Sequence, residues 1–555
     1  MANEEFKKIK EKKGFIVDIK NIYRDPSLAF LLAVVFLFFI IIIVYPFVKL
    51  SLIPSKNIWI EAITNKFVLK VFRNTIISSL SATFLATIFG FLFAYAMNYT
   101  NIPGKSIFRV ISLLPNMAPS IMTGLAFIML FGRRGIITYK LLGLRIDPYG
   151  PIGLLIVQTI AFFPLAYITI SGVLKSISPN VELSAQNLGA SGFRLFRTVT
   201  LPLATPGIAS AFLLVFINAI ADFGNPLLIG GNYKTLATLA YDTVIGNFDI
   251  PMAAALSLFL LLPSLIIFLI QKYYLDKKSF VTITGKPTSG LERNFVSFGA
   301  KLMLFIFSFI MCFVILLIVG SVMAFSITEA FGVNYTFTTR HLYEGIINSY
   351  PIRNSWLFAM TAALITSVVG VILAFLNVRK KFPGRGIIDF LAMLPISLPG
   401  TFIGLALVIS FNKKPLFLTG TAAIVIIGMV IRQIPVGYRN SVAGFKQIDK
   451  SIEEAATNLG SSSIGVFKNV ILPMLKNQIS ITFVYSFMKG MNTLSTIIFL
   501  ISPKTQLASA QILSLSEHGF YGVASATALG MMLIILLTFG LFKLILRDNI
   551  NIFNL

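Results

Sequence analysis

The segment FRNTIISSLSATFLATIFGFLFAY, residues 72–95, decides the class of fold. After Arg73 it carries no charged residue, and it exceeds the roughly 20 residues that a helix needs to cross a bilayer. Its apolar residues do not alternate with polar ones, as they would in a half-exposed strand. Because a segment in lipid must pair its own backbone N–H and C=O groups, this pattern predicts a membrane-spanning helix.

The same pattern returns as IRNSWLFAMTAALITSVVGVILAF, residues 352–375, at an offset of 280 residues. Beyond the loop at 132–150 the offset falls to 271, because the first copy is nine residues longer there. Positions in register include Arg73–Asn74 with Arg353–Asn354, Gly90 with Gly370, Pro103–Gly104 with Pro383–Gly384, and Pro164 with Pro435. This register indicates a duplication, with both copies entering the membrane in the same sense as parallel repeats.

The composition agrees with a membrane location: of 555 residues, 56% are hydrophobic and only 12% are charged, with a mean hydropathy of +0.86. We predict an all-α integral membrane protein with about twelve transmembrane helices in two homologous six-helix halves. The predicted spans are 28–50, 70–98, 109–131, 151–174, 205–229, 251–272, 298–325, 355–378, 386–411, 417–441, 477–501 and 523–546. The predicted domains are a basic tail (1–27), a first half (28–272), a linker (273–297) and a second half (298–555).

The net charge of +25 sets the predicted orientation. Basic residues collect in the cytoplasmic loops of membrane proteins, so the basic tail, the linker and both termini are predicted to be cytoplasmic. This interpretation is preferred to nucleic-acid binding, since no basic helix stands free of the apolar segments. One loop opposes the rule: Arg133, Arg134, Lys140 and Arg145 fall where the prediction requires the outside.

Neither a metal site nor a catalytic residue is predicted. The single cysteine, Cys312, and the two histidines, His341 and His518, are far apart in sequence. Lys105 follows a glycine, but a phosphate-binding loop needs another glycine five residues earlier, where this chain has Tyr99. The chain is therefore predicted to bind no nucleotide or other cofactor, and its energy must come from a partner or an ion gradient.

Each half also contains a polar segment between its fourth and fifth spans. The two segments are NVELSAQNLGASGFRLFRTVTLP, residues 180–202, and SIEEAATNLGSSSIGVFKNVILP, residues 451–473. Both place Asn-Leu-Gly thirteen positions before a proline, and Gly189 and Gly460 are predicted to end a short helix in a left-handed turn. A single such helix fits an interfacial helix on the membrane surface, whereas two at matched positions favour a paired docking surface.

These segments resemble the EAA loop of the permease subunits of binding-protein-dependent ATP-binding-cassette (ABC) importers. The resemblance implies a bacterial inner-membrane protein, without catalytic activity, whose two loops couple to a cytoplasmic ATPase dimer that uses the ATP. It also implies an extracytoplasmic solute-binding protein as a partner. The first copy departs from the family pattern, with Leu183 and Ser184 in place of Glu454 and Ala455, which predicts stronger coupling by the second half. The ATPase-coupling residues implied are Glu182, Ala185, Gly189, Glu453, Glu454, Ala455, Ala456 and Gly460.

The fused layout, together with DFGNPLLIGG at residues 222–231, resembles ferric-iron importers most. Ferric iron is therefore the expected cargo, with thiamine, a phosphonate, a polyamine or a sugar phosphate as alternatives.

Polar residues within apolar spans either join helices by hydrogen bonds or line a pathway. The candidates for a pathway lining are Asn218, Asp222, Asn225, Arg432, Lys489 and Asn492. An alternative class, an ion-coupled secondary transporter, would need paired acidic groups in the spans and leaves the two polar segments without a role. A structural subunit of a larger complex, a third alternative, explains the duplication poorly.

Overall fold

A computed structural model describes residues 26–275, 296–330 and 333–546. Apart from a few flanking residues, the predicted basic tail and linker lie outside these ranges. The regular secondary structure of the described chain is helical, except for one short antiparallel pair, β1 (Thr328–Ala330) and β2 (Asn334–Phe337). We expected no strands; this pair lies after the first span of the second half, outside the apolar segments.

The helices of the first half are α1 (Pro26–Ser51), α2 (Lys56–Thr64), α3 (Lys66–Tyr99), α4 (Lys105–Met117), α5 (Ser120–Phe131), α6 (Pro151–Ser176), α7 (Pro179–Asn187), α8 (Gly192–Ile220), α9 (Gly224–Ile229), α10 (Leu236–Ile245) and α11 (Ile250–Tyr274). Short helical turns add Ile136–Leu141 to this half and Arg340–Leu342, Tyr343–Ile347 and Pro503–Thr505 to the second. The helices of the second half are α12 (Phe298–Ser326), α13 (Tyr350–Arg379), α14 (Arg385–Ile396), α15 (Gly400–Ser410), α16 (Ala422–Gln447), α17 (Lys450–Asn458), α18 (463–474), α19 (Lys476–Met491), α20 (Ala508–Glu517) and α21 (Tyr521–Leu546).

Ten helices of the described chain are long and apolar enough to span a membrane, or eleven if a bent pair counts as one span. The all-helical, multi-span class is therefore confirmed, but twelve spans are not. The predicted span 386–411 is the bent pair, in which α14 and α15 meet at 109°. The predicted span 477–501 is helical only in α19 and then turns irregularly. The side of the membrane that the termini occupy stays a prediction.

The bend between α14 and α15 follows from local chemistry. Pro395 and Pro399 cannot donate backbone hydrogen bonds, so the helix breaks there. The freed carbonyls still need donors, because irregular backbone at membrane depth is tolerated only when protein or water satisfies it. Arg432 supplies them: its Nη1 donates to the Leu398 carbonyl at 2.7 Å and to the Pro395 carbonyl at 3.3 Å.

Two matched glycines lie at close helix crossings. A Cβ built on Gly90 in α3 would lie 2.6 Å from Cβ of Ala166 in α6. One built on Gly370 in α13 would lie 2.6 Å from the carbonyl carbon of Gly437 in α16. The repeat therefore preserves a geometric requirement, since small residues let two membrane helices approach closely.

The first helix of each half packs on the other half. In α1, the ring of Phe47 lies 5.5 Å from that of Phe402 in α15, and Lys49 Nζ donates to the Ser410 carbonyl at 3.4 Å. In α12, the ring of Phe307 lies 5.6 Å from that of Phe89 in α3. Each of the two halves predicted from the sequence therefore contributes its first helix to the packing of the other half.

Candidate functional site

The two polar segments fold alike. Each begins with a short helix, α7 or α17, and each helix ends at its leucine cap followed by a left-handed glycine, Gly189 at φ 89° and Gly460 at φ 88°. The N–H of the next residue bonds back across the turn: Ala190 to the Ala185 carbonyl at 3.0 Å, and Ser461 to the Ala456 carbonyl at 3.1 Å. This is the Schellman termination of a helix, so the predicted left-handed turns are confirmed in both copies.

The cap leucines protrude from this turn. Leu188 is 89% exposed and Leu459 is 88% exposed, and they occupy matched positions at the 271 offset. Neither was singled out as a site residue, although both belong to the shared Asn-Leu-Gly. The structure thus places an exposed apolar side chain at the same position of each segment.

The acidic residues at the start of each helix point inward instead. Glu182 is fully buried, and its Oε1 accepts hydrogen bonds from Tyr99 Oη at 2.8 Å and Thr200 Oγ1 at 2.9 Å. Glu453 forms an ion pair with Arg379, Oε1 to Nε at 2.6 Å. Tyr99 and Arg379 are matched at the 280 offset. Each acid therefore anchors its segment to the end of α3 or α13.

The remaining predicted coupling residues lie at or near the surface. Glu454, Ala455 and Gly460 are exposed in the second copy, as is Gly189 in the first. Ala185 and Ala456 are half-buried. The exposed surface of each segment thus includes its leucine and a glycine, Phe193 adds an exposed ring in the first segment, and Glu454 adds a carboxylate in the second.

A further group orients α17. Asp449 precedes this helix, and its Oδ1 accepts a hydrogen bond of 3.0 Å from the Ser451 backbone N–H. Hydrogen bonding from Ser451 lowers the pKa of Asp449, because it stabilises the ionised carboxylate. The cap therefore remains charged at neutral pH and fixes the start of α17.

Replacing Arg379 by methionine is expected to loosen α17. The change leaves the Glu453 carboxylate without its cation and removes the hydrogen bond from Arg379 Nη2 to the Ile448 carbonyl, 2.8 Å long. A lost charged hydrogen bond of this kind costs about 1–3 kcal/mol. Hydrogen exchange in 449–460 should therefore accelerate by roughly tenfold or more. The exposed Lys381, changed to methionine, is the control, and equal protection in both variants would contradict the anchoring role.

A cavity of about 180 Å³ lies between the halves, and we call it the central cavity. All six residues proposed from the sequence as a pathway lining contribute to its wall: Asn218, Asp222, Asn225, Arg432, Lys489 and Asn492. The sequence placed Asp222 on the fifth span, but it lies in the break between α8 and α9. The structure therefore brings the six together, while their role in transport stays a prediction.

The two halves give the central cavity opposite charges. The first half supplies Asp222, whose Oδ2 accepts hydrogen bonds from Gln158 Nε2 and Asn225 Nδ2, both at 3.0 Å. The second half supplies Arg432 and Lys489. Although Asp222 and Lys489 face the same cavity, no ion pair joins them in the described ranges.

A larger cavity of about 750 Å³, the coupling-side cavity, opens beside α7. Its wall includes Ser178 and Val181 from the first half and Arg385 and Arg439 from the second. An ion pair crosses between the halves there, from Lys272 Nζ to Asp389 Oδ2 at 2.8 Å. Sequence reasoning missed this pair, since Lys272 and Asp389 lie at the ends of unrelated segments. The space between the halves is therefore larger at the coupling-side cavity than at the central cavity.

Comparison with known proteins gives a consistent result. A family described as "Binding-protein-dependent transport system inner membrane component" matches residues 86–279 and 366–550, once in each half. The chain is 34% identical over 474 residues to the ferric transport system permease protein FbpB of Actinobacillus pleuropneumoniae, covering 83% of this chain and 69% of that protein. It is also 34% identical over 459 residues to the putative ferric transport system permease protein FbpB 1 of Haemophilus influenzae, covering 80% and 72%. The sulfate transport system permease protein CysT of Escherichia coli is 27% identical over 249 residues, covering 44% of this chain and 90% of that protein.

Proposed function

This chain belongs to the family of binding-protein-dependent transport system inner membrane components, and we propose that it carries ferric iron across the bacterial inner membrane. In this proposal it is the permease of an ABC importer, receiving its cargo from an extracytoplasmic binding protein. The cargo follows from the two FbpB relatives, which match most of the chain and are named for ferric transport.

The observation that carries this proposal is the pair of matched segments around α7 and α17. Each presents an exposed leucine on a rigid turn, and each is anchored to a long helix by a buried or half-buried acid. Two such surfaces suit an ATPase dimer, because a symmetric partner offers two equivalent binding grooves. The ATPase would hydrolyse ATP, and this chain would bind no nucleotide and carry out no catalysis itself.

Movement of the two segments would change the shape of both cavities, because each segment is anchored to a long helix, α3 or α13. When the ATPase dimer closes, α7 and α17 approach each other and draw α3 and α13 with them, through Glu182–Tyr99 and Glu453–Arg379. Rigid-body rocking of this kind produces alternating access. Closure on the coupling side would narrow the coupling-side cavity and open the central cavity toward the binding protein.

The test is uptake by vesicles that contain the purified chain and its ATPase. Vesicles should accumulate radioactive ferric ion when the loaded binding protein is outside and ATP is inside with the ATPase. A hydrolysis-deficient ATPase is the control and should abolish the uptake. Uptake driven by a proton or sodium gradient without the ATPase would instead establish a secondary transporter. Uptake of thiamine, a phosphonate, a polyamine or a sugar phosphate, but not ferric ion, would keep the ABC permease and replace the cargo.

A further inference from the structure

We propose that the central cavity is an oxyanion site, in which Arg432 and Lys489 hold the anion, alone or as a ligand of a metal ion. The role of this site in transport rests on the proposed function. The binding chemistry itself comes from the charges of the cavity wall.

The charge balance of the wall is the first argument. Among the described residues that line the central cavity, only Asp222, Arg432 and Lys489 are charged, so the positive charges exceed the negative by one. An unpaired charge at membrane depth is unfavourable, and intramembrane charges generally pair or face a polar pathway. An anion in the cavity would supply the missing negative charge.

The second argument is the number of donors left for a ligand. Lys489 has three ammonium donors, and within the described ranges its Nζ makes no hydrogen bond or ion pair and lies 5.8 Å from the centroid of the Tyr485 ring. Arg432 uses Nη1 on the carbonyls of Pro395 and Leu398, which leaves other guanidinium N–H groups. Both side chains retain accessible surface toward the cavity. Cationic donors converging on one space recognise phosphate-like and carboxylate-like oxygens.

The third argument is the position of the acid. Asp222 is held by two amide donors, Gln158 and Asn225, on the wall that the first half provides. Both amides donate to the same carboxylate oxygen, Oδ2, and so hold the acid on that wall. The cavity thus has a negative side on one half and a positive side on the other. A metal cation with an oxyanion bound to it matches this polarity, with the metal toward Asp222 and the anion toward Arg432 and Lys489.

The duplication explains why such a site exists once and not twice. At the 271 offset, Lys489 corresponds to Asn218, Arg432 to Ala161, and Asp222 to Thr493. Each charge is therefore present in one half only. The central cavity therefore has its acid on the first half and its two basic residues on the second. Two identical halves could not produce this separation of charge.

Binding of radioactive inorganic phosphate to the purified full chain in detergent tests the site. The wild type should bind phosphate, and Lys489→Met should bind about tenfold more weakly, because a charged hydrogen bond contributes roughly that factor. Lys489→Met is the cleaner variant, since Arg432→Gln also removes donors from the bend between α14 and α15. The exposed Lys413, changed to methionine, removes the same charge elsewhere and should leave binding unchanged.

Asp222→Asn gives a change of opposite sign. Removing the carboxylate should leave phosphate binding as tight as in the wild type or tighter, because the repulsion between two anions is lost. Wild-type protein that binds neither phosphate nor sulfate would overturn the proposal. So would a Lys489→Met variant that binds phosphate as the wild type does, or an Asp222→Asn variant that loses binding.

A second measurement, in transporting vesicles, distinguishes an anion that crosses with the metal from an anion that is itself the cargo. If the anion crosses with the metal, labelled phosphate and labelled ferric ion should accumulate together, and both uptakes should fall in Lys489→Met. If phosphate accumulates without ferric ion, the anion itself is the cargo. Ferric uptake that is unaffected by Lys489→Met would overturn the site's part in transport. Phosphate binding without any ATP-driven uptake would refute the proposed function and leave the oxyanion site intact.

Discussion

Replacing both Leu188 and Leu459 by aspartate is expected to abolish ATP-driven uptake while leaving the protein inserted and folded. Each leucine is almost fully exposed at the tip of its segment, so the substitution disturbs little within the chain. Burying a leucine in a partner contributes about 1.5–3 kcal/mol, and an aspartate there would also need to lose its hydration. Two such losses should weaken ATPase binding by a factor of roughly a thousand or more.

Binding of the purified ATPase to the purified chain measures this effect directly. The control is Leu52→Asp, since Leu52 is 78% exposed at the end of α1, far in sequence from both segments. It makes the same chemical change and should leave ATPase binding intact. The single variants also test the asymmetry, because Leu459→Asp should weaken binding more than Leu188→Asp if the second half couples more strongly. Normal assembly and uptake by the double variant would refute the docking role of these segments.

Replacing Gly370 by valine should prevent α13 from packing on α16. The first atom of the new side chain would lie 2.6 Å from the Gly437 carbonyl carbon and 2.8 Å from its oxygen. These are backbone atoms, so no side-chain rotation relieves the contact, and the helices must separate. Overpacking typically costs about 1–3 kcal/mol and occasionally more, and contact with backbone atoms places this change at the upper end. Gly90→Val should act in the same way at the matched crossing of α3 and α6.

The measurement is the yield of monodisperse protein in detergent and its thermal midpoint. Gly172→Val in α6 is the matched control, because a Cβ there meets no described atom within 4 Å. It introduces the same branched residue at a helix position that touches no neighbouring helix. If Gly370→Val and Gly172→Val had the same thermal midpoint, the crossing of α13 and α16 could open at little cost in stability. That result would contradict the expectation.

The sequence predicted the apolar segments well where a helix runs straight through. It failed at 386–411 and 477–501 because a window of hydropathy reports composition and not direction. Pro395, Pro399 and Gly400 were visible in the sequence, and they could have indicated the bend between α14 and α15. What they could not indicate is that Arg432 would satisfy the carbonyls freed by it, since that partner lies in another span.

The sequence predicted some features of the candidate sites and missed others. The paired segments and their left-handed glycines were visible because a helix stop is encoded within a few residues. The inward direction of Glu182 and Glu453 was not, because it depends on Tyr99, Thr200 and Arg379. The sequence treated the acids as part of the docking surface, whereas the structure turns Glu182 and Glu453 inward and leaves the leucines as the most exposed large apolar residues of the two segments.

The sequence by itself determined the helical membrane class, the duplication and the two matched polar segments. These are properties of neighbouring residues: apolar runs prefer lipid, in-register repeats survive duplication, and glycine permits a left-handed turn. Only the tertiary structure decided which polar residues share the central cavity, and that α1 and α12 each pack on the opposite half. Those contacts join residues hundreds of positions apart, such as Phe47 with Phe402. They depend on how whole helices pack together, which no local pattern specifies.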